Sequence, residues 1–285
     1  MHVHKELENH AVETTDAAGR PVRVLSLAGA SAAGAALGME LPDVVAAALR
    51  AGIWPKWYLR NQDAISLGEQ VRLAESSVAI AGAGGLGGHV ILQLARLGVG
   101  RLHVMDGDVF DETNLNRQLL ADRQSLGRNK AETAALAVSL VNPAVRATAY
   151  PGKIRKENAA ELLSGMEVVV DALDNIPDRF MLADAARSLS LPLVHGAVAG
   201  FEGRIMTILP EDQGFRLLYG EDAPTGQQRQ PSAEAILGTP VSTPAVIAGF
   251  QVMEVLKILL RKGGLFRNRM AHIRLDTGQI NEFRW

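Results

Sequence analysis

The feature that most restricts the fold is a glycine-rich turn between a buried strand and an apolar helix. Residues 77–81 read Ser-Val-Ala-Ile-Ala and predict a buried strand, and residues 87–97 predict a helix. The glycines of the turn are Gly82, Gly84, Gly85 and Gly87. Glycines placed there let backbone N–H groups approach a phosphate, and the helix N-terminus favours its negative charge. The turn therefore predicts a nucleotide site; the alternative is a turn needed only for tight helix–strand packing.

Strands and helices alternate along the chain from residue 75. Further strands are predicted at 101–106, 144–150, 167–171, 192–195 and 203–210, and helices at 130–141, 158–163, 180–189 and 245–260. Strands separated by such helices favour a parallel sheet that is covered on both faces. Residues 271–285 predict a closing hairpin. The expected fold class is α/β: a Rossmann-like, doubly wound, mostly parallel sheet with an antiparallel C-terminal extension.

Residues 1–55 form an N-terminal extension whose role the sequence does not indicate. Residues 1–20 are polar and mixed, which predicts a loose arm. The Gly, Ala and Ser residues of 28–38 are compatible with a linker or with close packing, and residues 41–50 predict a helix. Residues 56–285 are the expected catalytic domain.

The composition excludes several classes of function. The chain has 29 Lys and Arg against 31 Asp and Glu, so it lacks the basic excess of a nucleic-acid binder. It has no cysteine, which excludes a disulfide, a Cys-ligated zinc and a thiolate nucleophile. No apolar run predicts a membrane span, and the first residues lack a secretory pattern. A cytoplasmic location is the expectation.

A polar cluster follows the glycine turn. Asp106 ends the next predicted strand, roughly 20 residues further on, and is expected to bond the ribose hydroxyls. Arg117 and Lys130 are fixed positive charges that can hold a triphosphate and stabilise charge during transfer. Asn114 and Gln118 can fix orientation by hydrogen bonds. A dinucleotide dehydrogenase does not need this cluster, although each cation taken singly can also be a solvated surface charge.

Asp174 lies just beyond the strand predicted at 167–171, so it belongs to the same rim as the glycine turn. A carboxylate beside a triphosphate is a natural ligand for Mg²⁺, which shares its oxygen shell with phosphates. The structural alternative is that Asp174 caps the following helix. We prefer Asp174 to Asp171 as the metal ligand. His195, on the same rim, is a further candidate for contact with substrate.

Together these motifs resemble the ThiF/MoeB/HesA family of ubiquitin-activating-type adenylyltransferases. The resemblance covers roughly residues 57–285. It rests on motifs that occur in the family's order, namely Arg60, Gly82 to Gly87, Asp106 and Asp108, Asn114 to Gln118, Lys130, and Asp171 to Asn175. The match at Arg60 is partial, because Trp57-Tyr-Leu-Arg60-Asn-Gln keeps only the arginine of the first family motif.

The resemblance implies an enzyme that uses Mg²⁺ and ATP to convert a carboxylate into an acyl-adenylate. Arg117 and Lys130 would contact phosphates, Asp174 would hold Mg²⁺, and Asp108 and Asn175 would belong to the nucleotide site. Arg60 would be a phosphate contact, which family homodimers often supply from the neighbouring subunit. The usual acyl donor is the C-terminal Gly-Gly of a small ubiquitin-like sulfur-carrier protein, as in molybdopterin or thiamine biosynthesis. A crossing loop at about 211–244 would cover that tail.

The sequence also departs from the family. Many members bind structural zinc through two Cys-x-x-Cys pairs and carry a cysteine in the crossing loop, whereas this chain has neither, so no zinc is expected. Ser232 stands near the place of the loop cysteine, but no neighbouring base supports a role as nucleophile. The other functions that remain open are adenylation of a small-molecule or peptide carboxylate, an NAD(P)-dependent oxidoreductase, and an inactive nucleotide-binding scaffold.

Overall fold

The centre of the protein is an eight-stranded sheet, seen in a computed structural model that describes residues 2–220 and 233–285. Five of its strands run parallel, in the spatial order β6-β5-β4-β7-β8. They are β4 (Ser77–Ala81), β5 (Arg101–Met105), β6 (Arg146–Tyr150), β7 (Val168–Asp171) and β8 (Leu193–Ala199). Every residue of β4 and β7 is buried, as expected of strands covered on both faces.

Three antiparallel strands extend this sheet beyond β8. They are β9 (Glu202–Ile208), β10 (Arg269–Arg274) and β11 (Gln279–Arg284). The last two form the predicted C-terminal hairpin. The predicted fold class is therefore confirmed, including its antiparallel extension.

Helices cover both faces of the sheet and define two apolar cores. One face carries α4 (Leu67–Glu75), α5 (Gly85–Leu97), α6 (Lys130–Val141) and α11 (Ser242–Leu260). The opposite face carries α7 (Lys156–Leu163) and α8 (Ile176–Ser188). The structure thus has the two covered faces that the alternating pattern predicts.

Helix α11 has the length and composition of a membrane span, and it is the only single described helix that does. More than half of it is buried inside the protein, where it packs against α5, β8 and β9. That arrangement is typical of a core helix. Two consecutive N-terminal helices, Leu27–Leu37 and Leu41–Arg50, also reach the length and composition of a span when taken together. The pair is bent by 105° at the break between them.

The N-terminal extension is folded, so the prediction of a loose arm for residues 1–20 is wrong. Its elements are α1 (His2–His10), β1 (Ala11–Thr15), β2 (Pro21–Leu25), α2 (Leu27–Leu37), α3 (Leu41–Arg50) and β3 (Trp54–Pro55). The strands form a separate sheet, and buried residues such as Leu7 and Leu25 give the extension its own core. The burial of one apolar face, which includes Leu7, therefore stabilises this segment despite its polar composition.

The Gly, Ala and Ser stretch at 28–38 is helix α2, with local signals at both ends. The Ser26 side chain accepts a hydrogen bond from the Gly29 N–H, and Gly38 ends the helix in the left-handed conformation. Gly34 lies so close to the Met39 carbonyl oxygen that a Cβ would stand 2.9 Å from it. The run of small residues is thus used for close packing.

Two short helices belong to the crossing loop predicted at about 211–244. They are α9 (Arg216–Tyr219) and α10 (Ala233–Leu237). Ser232 lies outside the described residues. Phe215, at the start of α9, packs its ring against Phe180 and against His195, with centroids 5.7 Å and 4.8 Å apart. Phe215 thus belongs to an aromatic cluster that packs the start of the crossing loop against α8 and β8.

The close approach of α5 to β4 generates a prediction about stability. A Cβ on Gly87 would stand 1.8 Å from the Gly82 carbonyl oxygen, so Gly87→Ala must push the helix away from the strand. We expect this change to lower the free energy of unfolding by about 3 kcal/mol, as measured by chemical denaturation. The control is Gly68→Ala in α4, where a Cβ meets nothing within 4 Å and stability should rise by about 0.5–1 kcal/mol. Equal effects at the two sites would contradict the packing argument.

Candidate functional site

A pocket lies at the carboxyl ends of the parallel strands and brings most of the predicted site residues together. Those that line it are Gly82, Gly84, Gly85, Asp106, Asp108, Arg117, Gln118, Lys130, Asp174 and Asn175. The rim of an open α/β sheet is where ligands bind, so the location agrees with the general rule for this fold class. Gly87, Asn114 and Arg60 do not line the pocket.

The glycine turn is held against the sheet by Asp106. One carboxylate oxygen of Asp106 accepts a hydrogen bond from the Ala83 N–H at 2.7 Å, and the other accepts from the Asp108 N–H at 2.8 Å. Burial raises the pKa of Asp106, while these backbone hydrogen bonds oppose the rise. Gly82 has φ +98°, and a Cβ there would meet the Ala172 carbonyl oxygen at 2.6 Å. The turn therefore needs glycine at this point.

Two cations and an amide stand around the turn. Lys130 opens α6 and is buried, with its Nζ 3.5 Å from Asp108 Oδ2. The Arg117 guanidinium donates to the Thr113 carbonyl oxygen at 2.9 Å. Gln118 packs over Gly84, and its buried Oε1 accepts no hydrogen bond from any described residue. A buried acceptor without a donor fits a site that is completed by a ligand.

The carboxylates on the β7 side have different surroundings. Asp171 is fully buried, and its Oδ2 lies 2.7 Å from His195 Nδ1. Asp174 is exposed and lines the pocket, and its Oδ1 accepts from Asn175 Nδ2 at 3.3 Å. Asn175 is the residue that caps α8, because its side chain accepts from the Asp178 N–H at 2.9 Å. Asp174 is therefore free of the capping role, and its accessible carboxylate is one of those in the pocket that could hold a metal ion beside a phosphate.

His195 lies behind the pocket. It is buried and does not line the cavity, and its ring meets the Phe215 ring edge-on. Burial lowers the pKa of His195, although the Asp171 carboxylate opposes the shift. His195 and Asp171 form a buried pair beneath the site, with Nδ1 and Oδ2 2.7 Å apart. The idea that His195 touches substrate does not fit this position.

The three predicted residues outside the pocket have other surroundings. Asn114 accepts a hydrogen bond from the Asp111 N–H and closes a short 3₁₀ turn, so it shapes the segment that carries Arg117. Gly87 lies against the Gly82 carbonyl. Arg60 is exposed on the 3₁₀ helix Lys56–Asn61, and within the described residues it forms no hydrogen bond or ion pair.

The pocket also contains residues that the sequence argument missed. Lys153 follows β6, and Asp178 lies on the first turn of α8. Lys153 could have been found by extending the strand-end rule to β6, and Asp178 by following the segment after β7 into the first turn of α8. Glu234 and Thr239 come from the crossing loop. No local pattern marks them, because only the tertiary path of the loop brings them to the pocket.

The carboxylate of Asp106 generates a prediction about nucleotide affinity. In Asp106→Asn one of the two backbone N–H groups loses its oxygen acceptor and faces an amide NH₂. We expect the Kd for ATP, measured by titration calorimetry, to rise about tenfold or more, because an unsatisfied buried donor costs about 1–3 kcal/mol. Asp184→Asn on α8, outside this pocket, is the matched control and should leave the Kd unchanged. An unaltered affinity in Asp106→Asn would show that the turn does not contact the nucleotide.

Comparison with known proteins agrees with this geometry. The ThiF family profile matches residues 58–285. The SAMP-activating enzyme E1 of Haloferax volcanii is 38% identical over 201 residues, which are 70% of this chain and 73% of that protein. The sulfur carrier protein adenylyltransferase of Thermus thermophilus is 38% identical over 221 residues, covering 75% of this chain and 79% of that protein. The adenylyltransferase and sulfurtransferase MOCS3 of Arabidopsis thaliana is 36% identical, but the chain spans only 43% of its length.

Solved structures share the fold at lower identity. Escherichia coli MccB, crystallised with AMPCPP and MccA, superposes with a TM-score of 0.67 at 20% identity, covering 80% of this chain and 71% of that one. PaaA superposes with a TM-score of 0.63 at 22% identity, covering 80% of this chain and 70% of that one. At these identities the likeness establishes the architecture alone.

Proposed function

The chain belongs to the ThiF family, and we propose that it uses Mg²⁺ and ATP to convert a protein carboxylate into an acyl-adenylate with release of pyrophosphate. That it is an adenylyltransferase follows from relatives that carry this name. The observation that carries the proposal is one pocket that holds a phosphate-binding glycine turn, two cations and an accessible carboxylate. The oxidoreductase alternative would leave Arg117, Lys130 and Asp174 without roles.

We infer a task for each group from its place in the pocket. Backbone N–H groups of the glycine turn and the N-terminus of α5 would bind phosphate, and Asp106 would accept from the ribose while it holds the turn. Asp174 would hold Mg²⁺, which supplies positive charge to the phosphate oxygens. Arg117 and Lys130 would stabilise the negative charge that develops as a carboxylate oxygen attacks the α-phosphorus and pyrophosphate leaves.

We propose that the acyl donor is the C-terminal Gly-Gly of a small ubiquitin-like sulfur-carrier protein. Support comes from the names of two relatives, which are a SAMP-activating and a sulfur carrier protein enzyme. Glu234 of α10 and Thr239 line the pocket, so a tail that reaches the pocket would pass this part of the crossing loop. A tail without side chains suits this approach because its backbone can come close to the pocket wall.

The direct test is ATP–pyrophosphate exchange in the presence of Mg²⁺. Ubiquitin-fold carrier proteins that end in Gly-Gly are added first, followed by short peptides and small carboxylic acids. We expect exchange that depends on a Gly-Gly carrier. Exchange that depends only on a small acid would refute the proposed substrate class, and exchange with none of them, together with no ATP binding, would refute the adenylation activity.

Asp174 provides a prediction about the metal. Because Asp174 is exposed and does not cap α8, Asp174→Ala should fold normally and lose Mg²⁺-dependent exchange by on the order of 10²–10³-fold. Circular dichroism and the exchange rate measured across a Mg²⁺ titration check both parts. Asp276→Ala, in the turn of the C-terminal hairpin, should retain full activity. Near-normal exchange in Asp174→Ala would overturn its assigned role.

We further propose that the enzyme is a homodimer in which Arg60 reaches the pocket of the neighbouring subunit. Two observations support this. Arg60 is exposed and unpaired within the described residues, outside the pocket of its own chain. The outer face of α11 leaves Val246 and Met253 exposed, at 39% and 53%, beside the exposed Val241, which suits an apolar contact between subunits.

Mixing two inactive variants tests this sharing of residues. Arg60→Ala and Asp174→Ala should each be inactive alone. If subunits exchange and the arginine acts in trans, an equal mixture should recover about one quarter of the wild-type exchange rate, since one of two sites is complete in half of the dimers. No recovery after verified subunit exchange would show that Arg60 acts within its own chain or not at all.

A further inference from the structure

The two ends of the pocket suit different parts of the reactants, provided that the protein has the proposed function, on which this inference rests. The nucleoside end lies beyond β5 and β6, where Asp106 and Lys153 line the wall. The other end lies beyond β7 and β8, where Asp174, Asp178 and Val198 line it. Under the proposed function, a nucleotide with its nucleoside beyond β5 and β6 and its phosphates on the turn after β4 would leave the second end of the pocket for the acyl donor.

The crossing loop adds one more carboxylate to the acyl end. Glu234 lies on α10, which packs against β8, and its side chain lines the pocket. Hydrogen bonds fix the segment that follows α10: Gly200 N–H donates to the Gly238 carbonyl oxygen at 2.7 Å, and Asn116 Nδ2 donates to that of Thr239 at 3.3 Å. The placement of Glu234 is thus tied to the β8–β9 turn and to the segment before Arg117.

No hydrogen bond or ion pair joins the Glu234 carboxylate to another described residue. It is half-buried, and burial raises its pKa, while Arg179 and Arg117 face it as positive charges and Asp174 faces it as a negative one. A half-buried carboxylate that pairs with no described residue is open to contact with a bound ligand, and its burial costs desolvation energy. Glu234 is therefore in a position to contact a substrate bound in the pocket.

The two arginines near this end have hydrogen-bond partners of their own. The buried Arg179 donates twice to the Leu173 carbonyl oxygen, at 3.2 Å and 2.6 Å, and its Nε lies 3.8 Å from Asp171 Oδ2. Arg117 is bonded to its own turn and, under the proposed function, serves the phosphates. Arg179 does not line the pocket, so Asp178 and Glu234 are, among the described residues, the charged side chains that face the acyl end besides Asp174.

We propose that Glu234 determines specificity by excluding acyl donors that carry a negative side chain next to the carboxylate to be activated. The reacting carboxylate itself is drawn forward to the phosphates, Mg²⁺ and the cations of the turn. The residue before it remains beside Asp178 and Glu234, where a second negative charge is repelled at short range. Tails with a neutral or basic penultimate residue are used efficiently, and tails with an aspartate or glutamate in that position have a lower kcat/KM.

The test is steady-state ATP–pyrophosphate exchange with one Gly-Gly carrier protein and two variants of it, which end in Asn-Gly and Asp-Gly. Asn-Gly matches Asp-Gly in shape and lacks its charge. We expect kcat/KM for Asp-Gly to be about tenfold below that for Asn-Gly with the wild-type enzyme, the order expected for like charges several ångströms apart near a protein surface. In Glu234→Gln this ratio should fall to about twofold or less, with exchange on the Gly-Gly tail retained.

Glu161→Gln on α7 is the control, because it removes the same charge from an exposed position outside the pocket, and its ratio should match wild type. A ratio unchanged in Glu234→Gln would overturn the inference and leave the adenylation proposal intact. Loss of exchange on all three tails in Glu234→Gln would also overturn it, since Glu234 would then be needed for the reaction itself. No exchange with any tail on wild-type enzyme would refute the proposed substrate class, and the inference with it.

Discussion

The site depends on how closely helix α5 approaches strand β4. Gly87 and Gly82 touch backbone to backbone, and this contact fixes where the helix begins and therefore where its N–H groups point. Asp106 completes the arrangement by accepting hydrogen bonds from both the turn and its own strand-end segment. The carboxyl ends of two adjacent strands, β4 and β5, are thereby held together at the rim of the sheet where ligands bind.

A second layer of buried polar contacts supports the β7 side of the pocket. Asp171 binds His195 with its side chain, and its carbonyl oxygen accepts from Gln251 Nε2 of α11 at 2.8 Å. Gln251 in turn lies against Gly196 of β8, where no Cβ would fit. Gln251 of α11 therefore contacts both β7 and β8 near the segment that carries Asp174. These hydrogen bonds join α11 to β7 and β8 beneath the segment that carries Asp174, although the buried Oε1 of Gln251 accepts none from the described residues.

The sequence predicted the fold and the nucleotide side of the site because both are encoded locally. The strand, turn and helix around Gly82 are contiguous, and Lys130 opens a helix whose observed bounds are the predicted ones. Residues 1–20 were misjudged because their order comes from one buried face, which includes Leu7, packed against a neighbouring helix. Glu234 could not be placed, since it reaches the pocket through hydrogen bonds between segments that are distant in sequence.

The absence of cysteine limits what can follow the adenylation step under the proposed function. Without a thiolate, the chain cannot take over the acyl group as a thioester, so the mixed anhydride must persist until an external acceptor arrives. Such an intermediate survives only where water is excluded. The wall of the pocket next to β8 is built by α10 of the crossing loop, and that loop is held by its bonds to Gly200 and Asn116. Under the proposed function, the segment that supplies Glu234 would therefore also form part of the wall beside the activated carboxylate.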